Sequence, residues 1–391
     1  MISAGGLTLA DSWHSVREGR WLLQPASAGY AETAQLLVAE IRGFDPDAHF
    51  ERREVTTLDP VAQFAVIAAR EAVAMAGIDL AQTPPERTRC IVGSGAGGER
   101  THDDASRKVY GEGAARLHPM TVPRIMLSGA ASQVALDQKI MGGVFAVSSA
   151  CASAAHAVGQ AFADIRAGVV DVALAGGSES CLSHGCMKAW QALHILSDTG
   201  CRPFSLGRRG LVLGEGAAMF VLEAYDVAAA RGADILAELI GFGMSCDAGS
   251  ITAPNAGGMA RAIGSALGDA QITADAVDHV NAHGTGTQAN DVTECAALRL
   301  VFGDRLPHIP VTANKSVLGH ALGASGAFEL AMSMMSLREQ VLPCTAHFES
   351  PDPACPIDCI PHASRDAEVT TILSNSFAFG GLNAALLVQR V

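Results

Sequence analysis

Cys151 is the residue of this sequence best placed to act as a nucleophile. It follows an apolar run at 144–147 that predicts a β-strand, and it precedes an alanine-rich stretch from about Ser153 that predicts a helix. A thiol at the amino end of a helix faces unpaired N–H groups and the positive end of the helix dipole, which favour the thiolate. The same N–H groups can stabilise an oxyanion on a bound acyl group. For this motif alone, a buried and inert cysteine is the alternative.

Two histidines occur in glycine-rich loops that follow predicted strands. His283 lies in Asn-Ala-His-Gly-Thr-Gly-Thr at 281–287, and His320 ends Asn-Lys-Ser-Val-Leu-Gly-His at 314–320. One cysteine with two histidines suits acyl transfer followed by stabilisation of an enolate. The same three residue types could bind zinc, but widely separated loops without local ligand pairs make that the minor alternative.

A third glycine-rich turn, Gly-Ser-Gly-Ala-Gly-Gly at 93–98, fits the pattern G-x-G-x-x-G and follows a predicted strand. The rest of a dinucleotide fingerprint is missing, because residues 99–118 are polar and contain neither a clear helix nor a second strand ending in an acid. The sequence therefore favours a tight turn near a buried pocket over a nucleotide site.

The elements that carry these loops alternate in type along the chain. Asp59 and Pro60 predict the start of a helix that runs to about residue 76. The other predicted helices are 153–167, 289–302 and 323–337, and the predicted strands are 90–92, 144–147, 170–175, 277–282, 309–312, 369–373 and 384–388. This order predicts an α/β protein of two similar halves with largely parallel sheets, joined near residues 235–250. The polar motifs follow strands, where open α/β folds bind ligands.

Composition excludes several classes of protein. The chain of 391 residues is 49% apolar, so it is not disordered, and its net charge of −13 argues against nucleic-acid binding and attachment to anionic membranes. No apolar run approaches the ~18 residues of a membrane span, and no basic stretch precedes an apolar one at the amino end. Ten scattered cysteines without a C-x-x-C pair predict reduced thiols and a cytoplasmic protein.

Four motifs in register resemble the β-ketoacyl-[acyl-carrier-protein] synthases, above all the elongating synthase II type. They are Val-Ser-Ser-Ala-Cys at 147–151, the two histidine segments, and Asn-Ser-Phe-Ala-Phe-Gly-Gly at 375–381, and the resemblance covers nearly the whole chain. It implies a thiolase-like α/β fold, a duplicated αβαβα arrangement of five layers. We expect one half at residues 1–240, with the nucleophile, and the other at 241–391, with the histidine pair. Since the chain starts late relative to this family, we expect either that its first strand is truncated or that its start is misassigned.

The resemblance also implies the reaction, which is decarboxylative Claisen condensation. Cys151 would accept an acyl chain from acyl carrier protein, and His283 and His320 would bind malonyl thioester and promote loss of CO₂. The remaining roles that the resemblance implies are an oxyanion hole from the backbone N–H groups of Cys151 and Phe379, a supporting charged pair Lys315 and Glu329, and contacts to phosphopantetheine from Thr285 and Thr287. Lys315 and Glu329 could equally form a purely structural salt bridge. Phosphopantetheine arrives on the carrier protein, so no cofactor of the enzyme's own is expected, and a homodimer, or a heterodimer with a related subunit, is implied.

Four further residues are predicted to set specificity. Ala96, where the family usually has isoleucine, and Trp190, where it has phenylalanine, would border the acyl tunnel, and Arg52 with Arg53 would dock the carrier protein. Ala378 stands where the gating loop commonly has glycine, so the loop is expected to open less readily. These differences favour a specialised synthase of secondary metabolism or nodulation-type acyl chains. A non-catalytic chain-length-factor subunit and a thiolase are the alternatives.

Overall fold

The computed structural model describes residues 1–27 and 35–391. Its helices are α1 (Leu9–Arg17), α2 (Arg52–Val55), α3 (Pro60–Ala76), α4 (Glu99–Ser106), α5 (Thr121–Ile125), α6 (Gly129–Gln138), α7 (Ser153–Arg166), α8 (His184–Ala192), α9 (Tyr225–Ala230), α10 (Ala256–Ala270), α11 (Gln288–Phe302), α12 (Lys315–Leu318) and α13 (Ser325–Glu339). Its strands are β1 (Gln24–Pro25), β2 (Leu37–Ala39), β3 (Thr88–Gly93), β4 (Gly143–Val147), β5 (Val172–Glu179), β6 (Leu213–Gly214), β7 (Gly216–Glu223), β8 (Glu238–Cys246), β9 (His279–Asn281), β10 (Pro310–Thr312), β11 (Val341–Leu342), β12 (Asp358–Cys359), β13 (Arg365–Asp366), β14 (Thr371–Ala378) and β15 (Leu382–Gln389).

Two main sheets repeat the same topology. In the first, the strand order is β4-β3-β5-β7, with the first three strands parallel and β7 antiparallel. In the second, β10-β9-β14-β15 repeats this order and these directions, and β12 and β8 extend its two sides. The predicted duplication of two similar halves is therefore confirmed.

The sheets alternate with helices in five layers. Helices α7 and α13 contact each other and the two sheets, α7 against β3 and β5 and α13 against β14. Outside this sandwich, α3 and α6 cover the first sheet, and α10 covers the second beside α11. The central layer packs closely because it is rich in alanine and glycine, with Ala154, Ala155, Ala327 and Ala331 all buried. This αβαβα arrangement confirms the predicted thiolase-like fold, while the division between residues 240 and 241 stays a prediction.

Most predicted elements occur within a few residues of their expected bounds. Helix α3 starts as predicted, because an Asp59 carboxylate oxygen accepts the Val61 N–H at 3.0 Å, and it ends at Gly77 with a left-handed φ of 60°. The expectation that residues 99–118 hold no helix is wrong, since α4 begins at Glu99. Apolar periodicity does not reveal α4, because hydrogen bonds and not an apolar face attach this helix to the protein. The Asp59 carboxylate accepts the backbone N–H and the hydroxyl of Thr101 at 2.9 and 2.6 Å.

The outer edge of β7 differs from that of its counterpart β15. Strand β8 pairs along the whole length of β15, whereas among the described residues only Ile2 bridges to Ala217 on the outer edge of β7. Beside this edge lies a groove of about 690 Å³ lined largely by apolar residues, among them Met1 and Met75. The Met1 ammonium lies in the groove, paired with Glu71.

No helix in the described ranges combines the length and the hydropathy that a bilayer span requires.

Candidate active site

Cys151 lies in the loop between β4 and α7, two residues before the helix begins. The loop is held by Ser153, whose hydroxyl accepts the Ser149 N–H at 2.9 Å and donates to the Ala150 carbonyl at 2.7 Å. Ala150 takes a left-handed φ of 50°, a strained conformation for a residue with a Cβ. The thiol is buried, with 6% of the residue exposed. The loop therefore aims Cys151 into the protein interior at a fixed point.

His320 is in direct contact with this thiol. Its Nε2 lies 3.1 Å from the Cys151 Sγ, and its Nδ1 lies 2.8 Å from the Ser325 hydroxyl oxygen. The backbone fixes the same residue, because the His320 N–H donates to the Val212 carbonyl at 2.7 Å. Ser325 and the backbone together orient the ring so that Nε2 faces the sulfur.

His283 faces the same space from the loop after β9. Its ring centroid lies 5.5 Å from that of His320, with the planes nearly perpendicular. Glu294 on α11 positions the loop, because its carboxylate oxygens accept the N–H groups of His283 at 2.8 Å and Gly284 at 2.9 Å. Sequence reasoning missed Glu294. An acid on an otherwise buried stripe of a predicted helix was the available signal.

Lys315 determines which nitrogen of His283 carries the proton. Its ammonium donates to the His283 carbonyl at 2.6 Å, lies 3.3 Å from His283 Nδ1, and forms an ion pair with Glu329. An ammonium cannot accept a hydrogen bond, so Nδ1 is the acceptor and the proton of the neutral ring is on Nε2. His283 is thereby a hydrogen-bond donor towards the cavity. Both side chains of the ion pair are only 2% exposed.

Burial keeps the reacting groups neutral. It raises the pKa of Cys151 to about 12, with the Lys315 charge opposing that shift, and it lowers the pKa of both His283 and His320 well below the usual value. Burial therefore opposes the thiolate that the helix terminus was expected to favour, and that expectation stays a prediction. His320 Nε2, 3.1 Å from the sulfur, is placed to accept the thiol proton during attack.

A cavity of about 340 Å³ opens onto the thiol. Seven of the predicted site residues line it: Cys151, Trp190, His283, Thr285, Thr287, His320 and Phe379. The Trp190 and Phe379 rings stack, with 5.8 Å between their centroids and 16° between their planes. The backbone N–H of Phe379 donates a hydrogen bond to the Cys151 sulfur. The hydroxyl oxygens of Thr285 and Thr287 are 2.9 Å apart.

The loop that carries Phe379 is not strained at Ala378. Ala378 has an extended backbone with φ of −114°, and the left-handed position is Gly380, with φ of 82°. A hydrogen bond of 2.7 Å from the Gly380 N–H to the Ile251 carbonyl ties the loop to the neighbouring segment. The expected effect of Ala378 on loop opening stays a prediction.

Three of the predicted residues lie elsewhere. Ala96 is not among the residues lining the cavity, and its backbone N–H instead donates to the buried Glu179 at 3.1 Å. The glycine turn around Ala96 thus encloses a carboxylate and carries no sign of a dinucleotide site. Arg52 and Arg53 are exposed on α2, and Arg53 forms an ion pair with Glu51 at 2.9 Å.

The alternative of a zinc triad uses the same three residues. The Cys151 sulfur and one ring nitrogen each of His283 and His320 lie within 4.8 Å of one another. However, Cys151 and His320 are hydrogen-bonded to each other, and the positive charge of Lys315 beside His283 disfavours a second cation. The geometry therefore favours Cys151 as a nucleophile over a zinc ligand.

Comparison with protein-family models gives two matches in chain order. Residues 2–228 match the N-terminal domain of beta-ketoacyl synthase, and residues 236–349 match its C-terminal domain. The chain belongs to the β-ketoacyl synthase family. It is thus a condensing enzyme of the acyltransferase type, as predicted from its sequence motifs.

Relatives within the family extend over nearly the whole chain. Nodulation protein E of Rhizobium meliloti (strain 1021) is 41% identical over 387 residues, covering 99% of this chain and 96% of the relative. The 3-oxoacyl-[acyl-carrier-protein] synthase 2 of Staphylococcus aureus (strain COL) is 37% identical over 361 residues, or 90% and 87% of the two chains. The solved structure of the ishigamide ketosynthase/chain length factor is 32% identical, with a TM-score of 0.94 over 100% of this chain and 97% of the other.

Proposed function

We propose that this β-ketoacyl synthase extends an acyl chain held on Cys151 by decarboxylative condensation with a malonyl thioester. The observation that carries the proposal is the grouping of Cys151, His283 and His320 around one cavity, with Lys315 fixing a proton on His283 Nε2. The products are a 3-oxoacyl thioester and CO₂.

In the first step, the Cys151 sulfur attacks the carbonyl carbon of an acyl thioester. The thiol proton passes to His320 Nε2, 3.1 Å away, and the leaving thiol takes up that proton as the carbon–sulfur bond of the thioester breaks. Backbone N–H groups of Cys151 and Phe379 stabilise the oxyanion formed on the way. The result is an acyl group on Cys151.

In the second step, the malonyl carboxylate leaves as CO₂ and its electron pair forms an enolate. The Nε2–H of His283 binds the enolate oxygen. His320 joins it as a donor after acylation, when its neutral ring carries the proton on Nε2 and Nδ1 accepts the Ser325 hydroxyl. The enolate carbon then attacks the acyl carbonyl, and the Cys151 sulfur departs as a thiolate. It takes a proton from His320 Nε2, which solvent replaces. Lys315 and Glu329 act as positioning residues through His283.

The substrates are thioesters of acyl carrier protein in this proposal. The Thr285 and Thr287 hydroxyls face the cavity and are suited to hydrogen-bond the amide groups of phosphopantetheine, which arrives with the carrier. The enzyme then needs no cofactor of its own. Arg52 and Arg53, both exposed, supply positive charge for an acidic carrier helix.

The partner of the chain is a second copy or a related subunit. The outer edge of β4 is unpaired among the described residues, and apolar side chains around it are exposed, including Leu136 (71%), Met141 (74%) and Phe145 (37%). A paired edge would bury both features. The similarity to the ishigamide ketosynthase/chain length factor favours a related subunit as the second candidate.

Pathway and compartment complete the proposal. The identity of 41% to nodulation protein E supports a specialised role over a housekeeping one. All ten cysteines are free, which accords with a reducing cytoplasm.

The test separates the two steps. Incubation with acyl carrier proteins bearing different acyl chains, followed by intact-protein mass measurement, should show one acyl group on the parent and none on Cys151→Ala. His283→Ala should still become acylated but release no CO₂ from malonyl carrier protein, whereas His320→Ala should slow both steps. An adduct on another cysteine, or normal CO₂ release by both histidine variants, would refute the assignment. Arg52→Ala with Arg53→Ala should raise KM at low salt while leaving kcat unchanged.

A further inference from the structure

Glu179, at the carboxyl end of β5, is a buried acid without a role in the reaction described above. The residue is 0% exposed, and its carboxylate accepts four hydrogen bonds from two separate loops. Ser94 Oγ, Gly95 N–H and Ala96 N–H donate from the glycine turn at 3.1, 2.7 and 3.1 Å. Gly323 N–H donates from the loop after His320 at 2.9 Å.

The glycine turn is packed against the Cys151 loop. The Ser94 N–H donates to the Val147 carbonyl at 3.0 Å, at the end of the strand that leads to Cys151. A Cβ on Gly93 would lie 2.4 Å from the Ala154 nitrogen, so strand and helix approach each other too closely for any side chain there. The glycine turn is therefore in direct contact with both elements that flank the Cys151 loop.

The second loop carries the residues that orient the base. Gly323 follows His320 by three residues and precedes Ser325, whose hydroxyl lies 2.8 Å from His320 Nδ1. Leu322, directly before Gly323, takes a left-handed φ of 41°, which persists only where the surroundings hold it. A Cβ on Gly323 would lie 2.3 Å from the Gly95 nitrogen, so the two loops meet at Glu179.

We propose that Glu179 is a positioning residue that holds the Cys151 loop and the His320 loop at the separation at which sulfur and Nε2 meet. The catalytic importance of that separation rests on the proposed function. The bridge between the two loops rests on the four hydrogen bonds to Glu179.

Only a carboxylate of this length satisfies the site. All four partners donate, so a glutamine would turn an NH₂ group towards at least one N–H, and an aspartate is one methylene too short to reach both loops. Burial raises the pKa of Glu179 to about 7, against the effect of the four hydrogen bonds, which lower it. A buried acid with this environment is suited to a fixed bridge between loops.

The test compares Glu179→Gln and Glu179→Asp with the parent by three measurements. They are the rate of Cys151 alkylation by iodoacetamide as a function of pH, amide hydrogen exchange at Gly323 and Ala96, and acylation of Cys151 by octanoyl-pantetheine. Both variants should shift the alkylation profile, speed exchange at both amides and slow acylation by about 10- to 100-fold, since a displacement of ~1 Å between reacting groups has that effect. Ser94→Ala removes one of the four donors. Its alkylation profile, exchange rates and acylation rate should therefore lie between those of the parent and those of the two Glu179 variants.

Asp59→Asn is the matched control, because Asp59 is likewise a buried carboxylate that accepts three hydrogen bonds, but joins α3 to α4. It should lower stability and leave the alkylation profile unchanged. If Glu179→Asp keeps the parent profile while Glu179→Gln loses it, charge and not bridging is responsible and the inference is wrong. It is equally wrong if both variants behave as Asp59→Asn does.

Alkylation and exchange need no acyl substrate. A parent enzyme that is never acylated at Cys151 would therefore refute the proposed function while these two measurements still judge Glu179.

Discussion

Replacing Lys315 with methionine should reveal how the ion pair with Glu329 supports the site. Methionine has nearly the length of the lysine stem but no charge, so Glu329 is left 2% exposed without its partner. Removing one member of a buried ion pair typically costs about 3–5 kcal/mol of unfolding free energy. Burial already raises the pKa of Glu329 to about 7, so proton uptake by the carboxyl limits the loss at acid pH.

The sign of the pH dependence follows from this raised pKa. Glu329 ionises in the unfolded chain with an ordinary pKa, whereas the folded Lys315→Met protein must either hold a proton or bury an unpaired charge. The folded state then binds more protons than the unfolded state, so its stability falls as pH rises from about 5 to 8. The loss relative to the parent should therefore be larger at pH 8 than at pH 5.5.

Urea unfolding followed by circular dichroism at the two pH values measures the effect, with Lys315→Met/Glu329→Gln as the matched control. The double variant has no buried charge and should regain most of the lost stability. It should still release CO₂ from malonyl carrier protein about 10²-fold more slowly, because His283 lacks the donor that fixes its proton on Nε2. Equal instability of single and double variants, or wild-type CO₂ release by the folded double variant, would refute the reasoning.

Three further predictions test other parts of the structure. Burial lowers the pKa of His279 to about 3, so stability is lost as pH falls below about 6.5 and the folded ring stays neutral. Between pH 6 and 4, His279→Gln should reduce the pH dependence of the unfolding free energy by roughly 1.4 kcal/mol per pH unit, measured by thermal or urea unfolding. An unchanged pH dependence would contradict this prediction. Trp190→Leu should lengthen the acyl chain preferred in single-turnover acylation by more than Ala96→Ile shortens it, because Trp190 lines the cavity and Ala96 does not. A larger effect of Ala96→Ile would instead show that Ala96 borders the acyl tunnel. Leu136→Asp with Met141→Asp should halve the mass found by light scattering at micromolar concentration, whereas Leu300→Asp, equally exposed on α11, should not.

The fold was predictable because its repeated units carry local signals. Helix α3 has an aspartate cap and a terminal glycine, and α7, α11 and α13 follow apolar strands in each half. Helix α4 was not predictable, since it has a polar sequence and only Thr101 of its residues is buried. Hydrogen bonds to distant residues such as Asp59 stabilise it, and a single sequence does not reveal them.

The site was predictable as a set of residues and not as an electrostatic environment. His283 and His320 follow neighbouring parallel strands of the second sheet, so their loops lie at one edge as expected. Cys151 follows β4 of the first sheet, and the packing of the two halves brings it to them. Burial of Cys151 raises the pKa of its thiol, and the helix-terminus argument leaves that burial out. Glu294 and Glu179 hold backbone N–H groups of loops remote in sequence, so only the folded chain identifies their partners.

The uneven coverage of β7 and β15 has a practical consequence for producing the protein. Any affinity tag fused ahead of residue 1 would begin at the groove beside β7, next to Glu71, along an edge where only Ile2 of the described residues pairs. The junction between such a tag and Met1 would be poorly accessible to a processing protease, because Met1 is only 4% exposed. The opposite end is accessible, since Val391 is 57% exposed, so a carboxyl-terminal tag is the better choice for purification.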